Sequence, residues 1–229
     1  MQFFKYALAA LPVATALAVP AAPVVGSVVS TAGSAVPAVG GAVTSVTVTV
    51  TQLKTIQKTL TVAGGVLPLV DAEVTLVQGL AGVVVNNVVG EQVVPLVKVT
   101  LGNVVAQVKS VLDIVLPLVT EEVVPLVGAE LKVVIDLVNT VLSLVGNIEA
   151  IVVGVVQNLV GSVVGLVVDE LKAVLELIEP LVKPILTVAL GVVGNTVGPV
   201  VDELKDLIVK LEAVPTSVVA PLQATIANL

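Results

Sequence analysis

The stretch Asp169–Lys183, DELKAVLELIEPLVK, decides the fold class. Asp169, Lys172, Glu176, Glu179 and Lys183 recur every three or four residues, which puts them in one stripe along a helix. Val174, Leu177, Ile178 and Leu181 fall on the other side. The layout returns at Glu130–Val145, where Lys132, Asp136, Asn139 and Ser143 form the polar stripe and Val134, Leu137 and Val141 the apolar face. It returns again at Asp202–Glu212. A thin charged stripe beside a wide apolar face predicts an all-α protein, a bundle or irregular array of amphipathic Val/Leu-rich helices.

Outward from these helices, punctuation residues divide the chain. Gly-Asn pairs at 102, 146 and 194 read as helix stops, each followed by an N-cap. Pro68, Pro95 and Pro199 suit first turns, Pro180 and Pro184 kink or divide the Asp169 helix, and Pro215 ends the Pro199 helix. Thr120-Glu121-Glu122 is a start signal, and Thr216–Leu229 is a candidate short final helix. Upstream, Val46–Thr51 alternates Val and Thr as a strand does, yet Val46, Val50, Leu53, Ile56 and Leu60 also fit a helix. Helix is favoured because everything downstream is helical, and Gly64-Gly65 is expected to stop either element. E-L-K at Glu130, Glu170 and Glu203 and five P-L-V triplets suggest either a degenerate helix–stop–helix duplication or drift in a low-complexity chain.

Composition sets the physical class. Of 229 residues, 57% are apolar and 12% charged, about half the charged fraction of an ordinary soluble domain. Mean hydropathy is +1.17. More apolar surface is available than thin charged stripes hide, so self-association, lipid or a hydrophobic surface is the expected partner. The net charge of -7 and the absence of Arg argue against nucleic acid, whose phosphates call for clustered cations.

The first residues read as a secretory signal: Lys5, an apolar core at Ala7–Val19, and Ala16-Leu17-Ala18 as an A-x-A cleavage site. Three parts follow: a signal peptide over 1–18, a flexible Pro/Gly/Ala/Ser-rich spacer over 19–45, and a helical domain over 46–229. The expected location is secreted, extracellular or in a cell wall.

Little chemistry is on offer. With no Cys, His, Trp or Arg, disulfides and zinc sites are excluded, so no cofactor, metal or catalytic residue is assigned and no enzymatic activity is expected. The acidic pairs Glu121/Glu122, Asp169/Glu170 and Asp202/Glu203 point about 100° apart on a helix and suit the dipole of a first turn better than a shared substrate. Lys132/Asp136, Lys172/Glu176, Glu179/Lys183 and Asp206/Lys210 stand four apart and are expected to pair along the helices. Gly161 and Gly165, G-x-x-x-G in an uncharged run, are expected to mark close helix packing, in a soluble contact rather than a membrane span.

The leader MQFFKYALAALPVATALAVPAAP resembles those of proteins secreted by filamentous fungi. The helical, Cys-free remainder is similar in type to fungal hydrophobic-surface-binding and cell-wall mannoprotein families. That resemblance implies helical bundles that hold lipid or coat hydrophobic surfaces; the eight-Cys pattern of hydrophobins is absent. The primary expectation is a non-enzymatic, surface-active protein that adsorbs or self-associates through apolar helix faces carrying Val134, Leu137, Val141, Val174, Leu177, Ile178 and Leu181. A soluble carrier with lipid, fatty acid or sterol inside the bundle, and a membrane-inserted helical protein, are the alternatives.

Overall fold

The computed structural model describes residues 40–80, 87–117, 126, 128–159, 164–196 and 198–228, all within one compact unit, Ala38–Leu229. They form α1 (Gly40–Gly79), α2 (Asn87–Val115), α3 (Ala129–Asn158), α4 (Val168–Leu175), α5 (Ile178–Asn195), α6 (Pro199–Val214), a π turn (Pro215–Val219) and α7 (Ala220–Ala227). No strand occurs among the described residues. The all-α expectation holds. The expected signal peptide and residues 19–39 of the expected spacer lie outside the described residues. Residues 40–45 of that spacer belong to α1.

Contacts at the helix ends fix the path. The Asn158 side chain donates to the Val77 carbonyl (3.2 Å), so the last turns of α1 and α3 lie side by side. Lys98 in α2 meets Glu170 at the start of α4, and Thr196 after α5 donates to the Leu126 carbonyl before α3. The chain therefore runs up α1, down α2, up α3, down α4–α5 and up α6–α7. The central element is α3, which packs on α1 and on α4 to α7. The Asp169–Lys183 helix is one wall around it.

Side-chain burial follows a heptad. In α1 the buried positions Gln52, Ile56, Thr59, Ala63, Val66, Val70, Glu73 and Val77 follow alternate steps of four and three, with Val74 buried beside them. In α3 they are Leu131, Val134, Val138, Val141, Val145, Ile148, Val152 and Val155, with Leu137, Leu144 and Ile151 forming a second seam seven residues apart and Ile135 buried beside the first. Steps of three and four keep an apolar seam on one face, the geometry of nearly antiparallel bundles. Two seams on α3 let it be covered from more than one side.

Several expected helix starts and stops are neither. α1 runs through Gly64-Gly65 and Pro68, α2 through Pro95 and Gly102-Asn103, and α3 through Gly146-Asn147. Each helical Gly costs about 0.5–1 kcal/mol relative to Ala, yet the buried seams on both sides of these glycines outweigh that cost. Gly64, Gly65, Gly102 and Gly146 all face solvent. Pro68 is exposed too, and the carbonyl it leaves without an N–H belongs to exposed Gly64, where water reaches it. The Val/Thr alternation also folds as helix. Its β-branched hydroxyls further along, Thr55 and Thr59, donate to carbonyls four residues back.

Other boundaries fall where expected. The helix that begins at Val168 divides after Leu175, because Pro180 has no N–H for the Glu176 carbonyl. Yet Leu171, Val174, Ile178, Leu181, Ile185, Val188 and Val192 continue one buried seam through the break. α5 ends at Asn195, the third Gly-Asn pair, and Pro199 occupies the first turn of α6. Pro215 does not end that helix. It opens a π turn, and the chain continues as α7 within the expected tail helix. The start signal at Glu121-Glu122 lies outside the described residues.

Helix starts lack side-chain caps at α3 to α7. Gly128 (φ 57°) and Gly198 (φ 145°) turn the chain into α3 and α6 in conformations that disfavour a Cβ. Glu130, Asp169, Glu170 and Asp202 stand in first turns, where the helix dipole favours acids. Each E-L-K triplet thus opens a helix, which is what survives of the suspected repeat. Its Gly-Asn element does not recur at helix ends.

Candidate functional site

The apolar faces singled out in the sequence turn inward. Val134, Leu137 and Val141 in α3 and Val174, Ile178 and Leu181 in α4–α5 are buried in the interhelical core, and Leu177 is half-buried. Their polar partners face water: Lys132, Asp136, Asn139 and Ser143 on α3, and Asp169, Lys172, Glu176, Glu179 and Lys183 on α4–α5. The amphipathic reading therefore gives the inside and outside of each helix correctly. In the folded state those residues meet other helices, not an external surface.

None of the four expected i, i+4 ion pairs closes. The ion pairs among the described residues are Asp202–Lys205, three apart in α6 (2.9 Å), and Lys98–Glu170, between α2 and α4 (2.9 Å). The Lys98 ammonium donates to the Glu170 carboxylate and holds it below the usual glutamate value, against a smaller opposing effect of burial. On exposed helix faces the entropy of pinning two long side chains offsets most of the Coulombic gain. The interhelical pair is partly shielded and ties α2 to α4.

A close helix contact occurs at another glycine. Gly161 is outside the described residues, and Gly165 sits exposed in the turn before α4. The tight approach is at Gly154 in α3, where an added Cβ would stand 2.8 Å from Val77 Cγ1 of α1. One turn later Asn158 reaches the Val77 carbonyl, so a small residue and an amide four apart hold one end of α1. Gly154 carries no marker in the sequence that separates it from the other glycines.

Among the described residues, buried polarity is confined to α1 and α2. The buried polar or charged residues are Gln52, Thr59, Glu73 and Thr100. Asn103 Nδ2 donates to Glu73 Oε1 at 3.0 Å, while Glu73 Oε2 has no hydrogen-bond partner. Such a pair fixes the register of two helices whose other contacts are interchangeable Val and Leu.

The clefts are open and shallow. One of about 200 Å³ lies between α5 and the α6–π turn junction, with Ile178, Val182, Leu186 and Leu211 as its floor and Glu179, Lys183 and Glu212 at its rim. A larger one of about 510 Å³, between α3 and the start of α6, is lined with Lys132, Asp136, Asn139 and Glu203. No group of His, Cys, Asp and Glu suited to a metal occurs among the described residues.

Apolar side chains also reach the exterior. Leu69, Leu76, Leu96, Val99, Leu116, Leu166, Leu190, Val200 and Val209 are exposed. Four stretches, Thr51–Gly79, Ala129–Asn158, Val168–Gly194 and Val200–Ala227, are long and apolar enough by length and composition to cross a membrane. Comparison with protein-family models, with curated proteins and with solved structures finds no match for this chain.

Proposed function

We propose that this chain is a secreted, non-enzymatic, surface-active protein that adsorbs to hydrophobic surfaces or self-associates, outside the cell or in its wall. The observation that supports this reading is apolar excess beyond what the core consumes. Even with a continuous Val/Leu/Ile interior, large aliphatic side chains such as Leu69, Leu76, Val99 and Val209 remain exposed. Removing them from water is favourable by about 25 cal/mol per Å². The export leader read in the sequence supports the extracellular setting. Compression of a protein film at an air–water or oil–water boundary tests the function: a rise in surface pressure at micromolar protein is expected, and none would sink it.

A carrier of an apolar ligand is the second reading, favoured by the apolar floor of the cleft between α5 and α6. Its volume, about 200 Å³, suits one short alkyl chain or a small ring better than a sterol. Solvent extraction and mass spectrometry of the purified protein separate the two readings, since a carrier retains stoichiometric lipid.

A further inference from the structure

The exposed apolar side chains are not spread evenly. Leu69 and Leu76 flank Glu73 on α1 at i−4 and i+3, and Leu96 and Val99 precede Asn103 on α2 by seven and four residues. Those spacings place each pair on the same helix face as its polar neighbour. Because Asn103 donates to Glu73 across the α1–α2 seam, all four side chains border that seam. Their exposures are 52%, 52%, 46% and 60%. From Thr59 to Gly79 the only exposed charge on α1 is Asp71. The exposed charges of α4–α6, by contrast, fall in two dense groups, Asp169–Lys183 and Asp202–Glu212, separated by the uncharged run 184–201.

We infer that this α1–α2 patch is the face by which the folded bundle meets an uncharged hydrocarbon surface, leaving the charged groups Asp169–Lys183 and Asp202–Glu212 toward water. The inference rests on the surface-active reading above and names the face and the partner. Only 33% of an 18-residue apolar window of Thr51–Gly79 is buried, so α1 is long and apolar enough to cross a membrane yet covers just one side of itself with core. Val200–Ala227 is buried even less, at 28%, but its first half carries six exposed charges between Asp202 and Glu212. A second copy fits the patch poorly. Four half-exposed aliphatic side chains fall far short of the roughly 800 Å² per partner of a stable dimer. A hydrocarbon phase demands neither shape complementarity nor minimum area, and Asp71 is the one exposed charge on α1 between Thr59 and Gly79 that contact would have to desolvate.

The chain has no Trp, so single reporters are unambiguous. Leu76→Trp and Val99→Trp are compared with Ser143→Trp, on the polar stripe of α3, in the presence of hexadecane droplets. Emission from the first two shifts to the blue and loses acrylamide quenching, while that of Ser143→Trp stays aqueous. Leu76→Glu combined with Val99→Glu lowers the adsorbed amount, and Ser143→Glu does not; circular dichroism confirms that the variants fold. Equal shifts at all three reporters, or adsorption indifferent to the paired glutamates, would overturn the patch while leaving surface activity standing. Absence of adsorption in the wild type would remove both. A blue shift without hexadecane that tracks dimer formation in sedimentation would assign the patch to a second copy instead.

Discussion

Gly146 and Gly154 stand eight residues apart in α3, and their surroundings give substitution at each an opposite sign. Gly146 is exposed, with no neighbouring atom where a Cβ would lie. Gly146→Ala is expected to stabilise the protein by about 0.5–1 kcal/mol, through helix propensity and a less disordered unfolded chain. At Gly154 the new Cβ collides with a methyl of buried Val77, so α1 must move away or the valine must leave its rotamer. Gly154→Ala is expected to cost about 1–3 kcal/mol, as overpacking does. Urea titration of the two variants measures both, and equal shifts of one sign would contradict the close approach of α1 and α3. Lys98 and Glu170 set a second test at this scale. The Glu170 carboxylate titrates below its ordinary value in the folded state, so its contribution is complete above the unfolded value. That contribution drains away as pH falls through the lowered one. With Lys98 well exposed, the pair is worth only about 0.2–1 kcal/mol after solvent screening. Lys98→Met should lose that amount at neutral pH and nothing in strong acid, read as the difference between unfolding midpoints.

At the scale of elements, the stabilising weight lies in α3. Leu137 and Leu144 are fully buried on its second seam, whereas Leu177, in the turn between α4 and α5, is half-buried. Leu144→Ala is expected to cost about 2–5 kcal/mol, and Leu177→Ala clearly less, in the same denaturation experiment. The reverse order would mean that the Asp169–Lys183 segment, not α3, carries the bundle. Why the sequence pointed to that segment is physical. Its stripe has five charged residues, so its two faces separate by eye, while α3 has two seams and a polar stripe with fewer charges. The orientation of each helix was legible because charge is costly to bury. The heptad register was not, because Val and Leu occupy inner and outer positions alike. Leu69 and Val70, adjacent in α1, differ in burial yet hardly in chemistry. Gly and Pro misled for a related reason: at Gly64-Gly65, Pro68 and Gly146 their local cost falls on exposed faces and is outweighed by packing on the buried one. Where no such seam continues, at Gly194-Asn195, the glycine reading matched the helix end.

For the whole molecule, charge and apolarity act against each other at a boundary. Each copy carries a net charge of -7 at pH 7, so copies brought together in a film repel one another. Apolar attraction to the surface does not depend on pH, because no aliphatic side chain titrates. On the proposed surface-active reading, film density then responds to pH through the charge term. As pH falls from 7 toward the isoelectric value near 4.5, carboxylates gain protons, repulsion fades and the area per molecule contracts. Below that value lysine charge dominates and the film expands again. Added salt at neutral pH should reproduce the contraction, since about 0.1 M electrolyte reduces the screening length to ~10 Å, less than the width of the bundle's charged face. Ellipsometry or a Langmuir trough at low ionic strength reads the area directly. A minimum near the isoelectric point that disappears in salt fits adsorption of intact, charged bundles through an uncharged face. An area indifferent to both pH and salt would mean that charge lies outside the adsorbed layer's packing, as when the helices separate and lie individually on the surface with their charges spread apart.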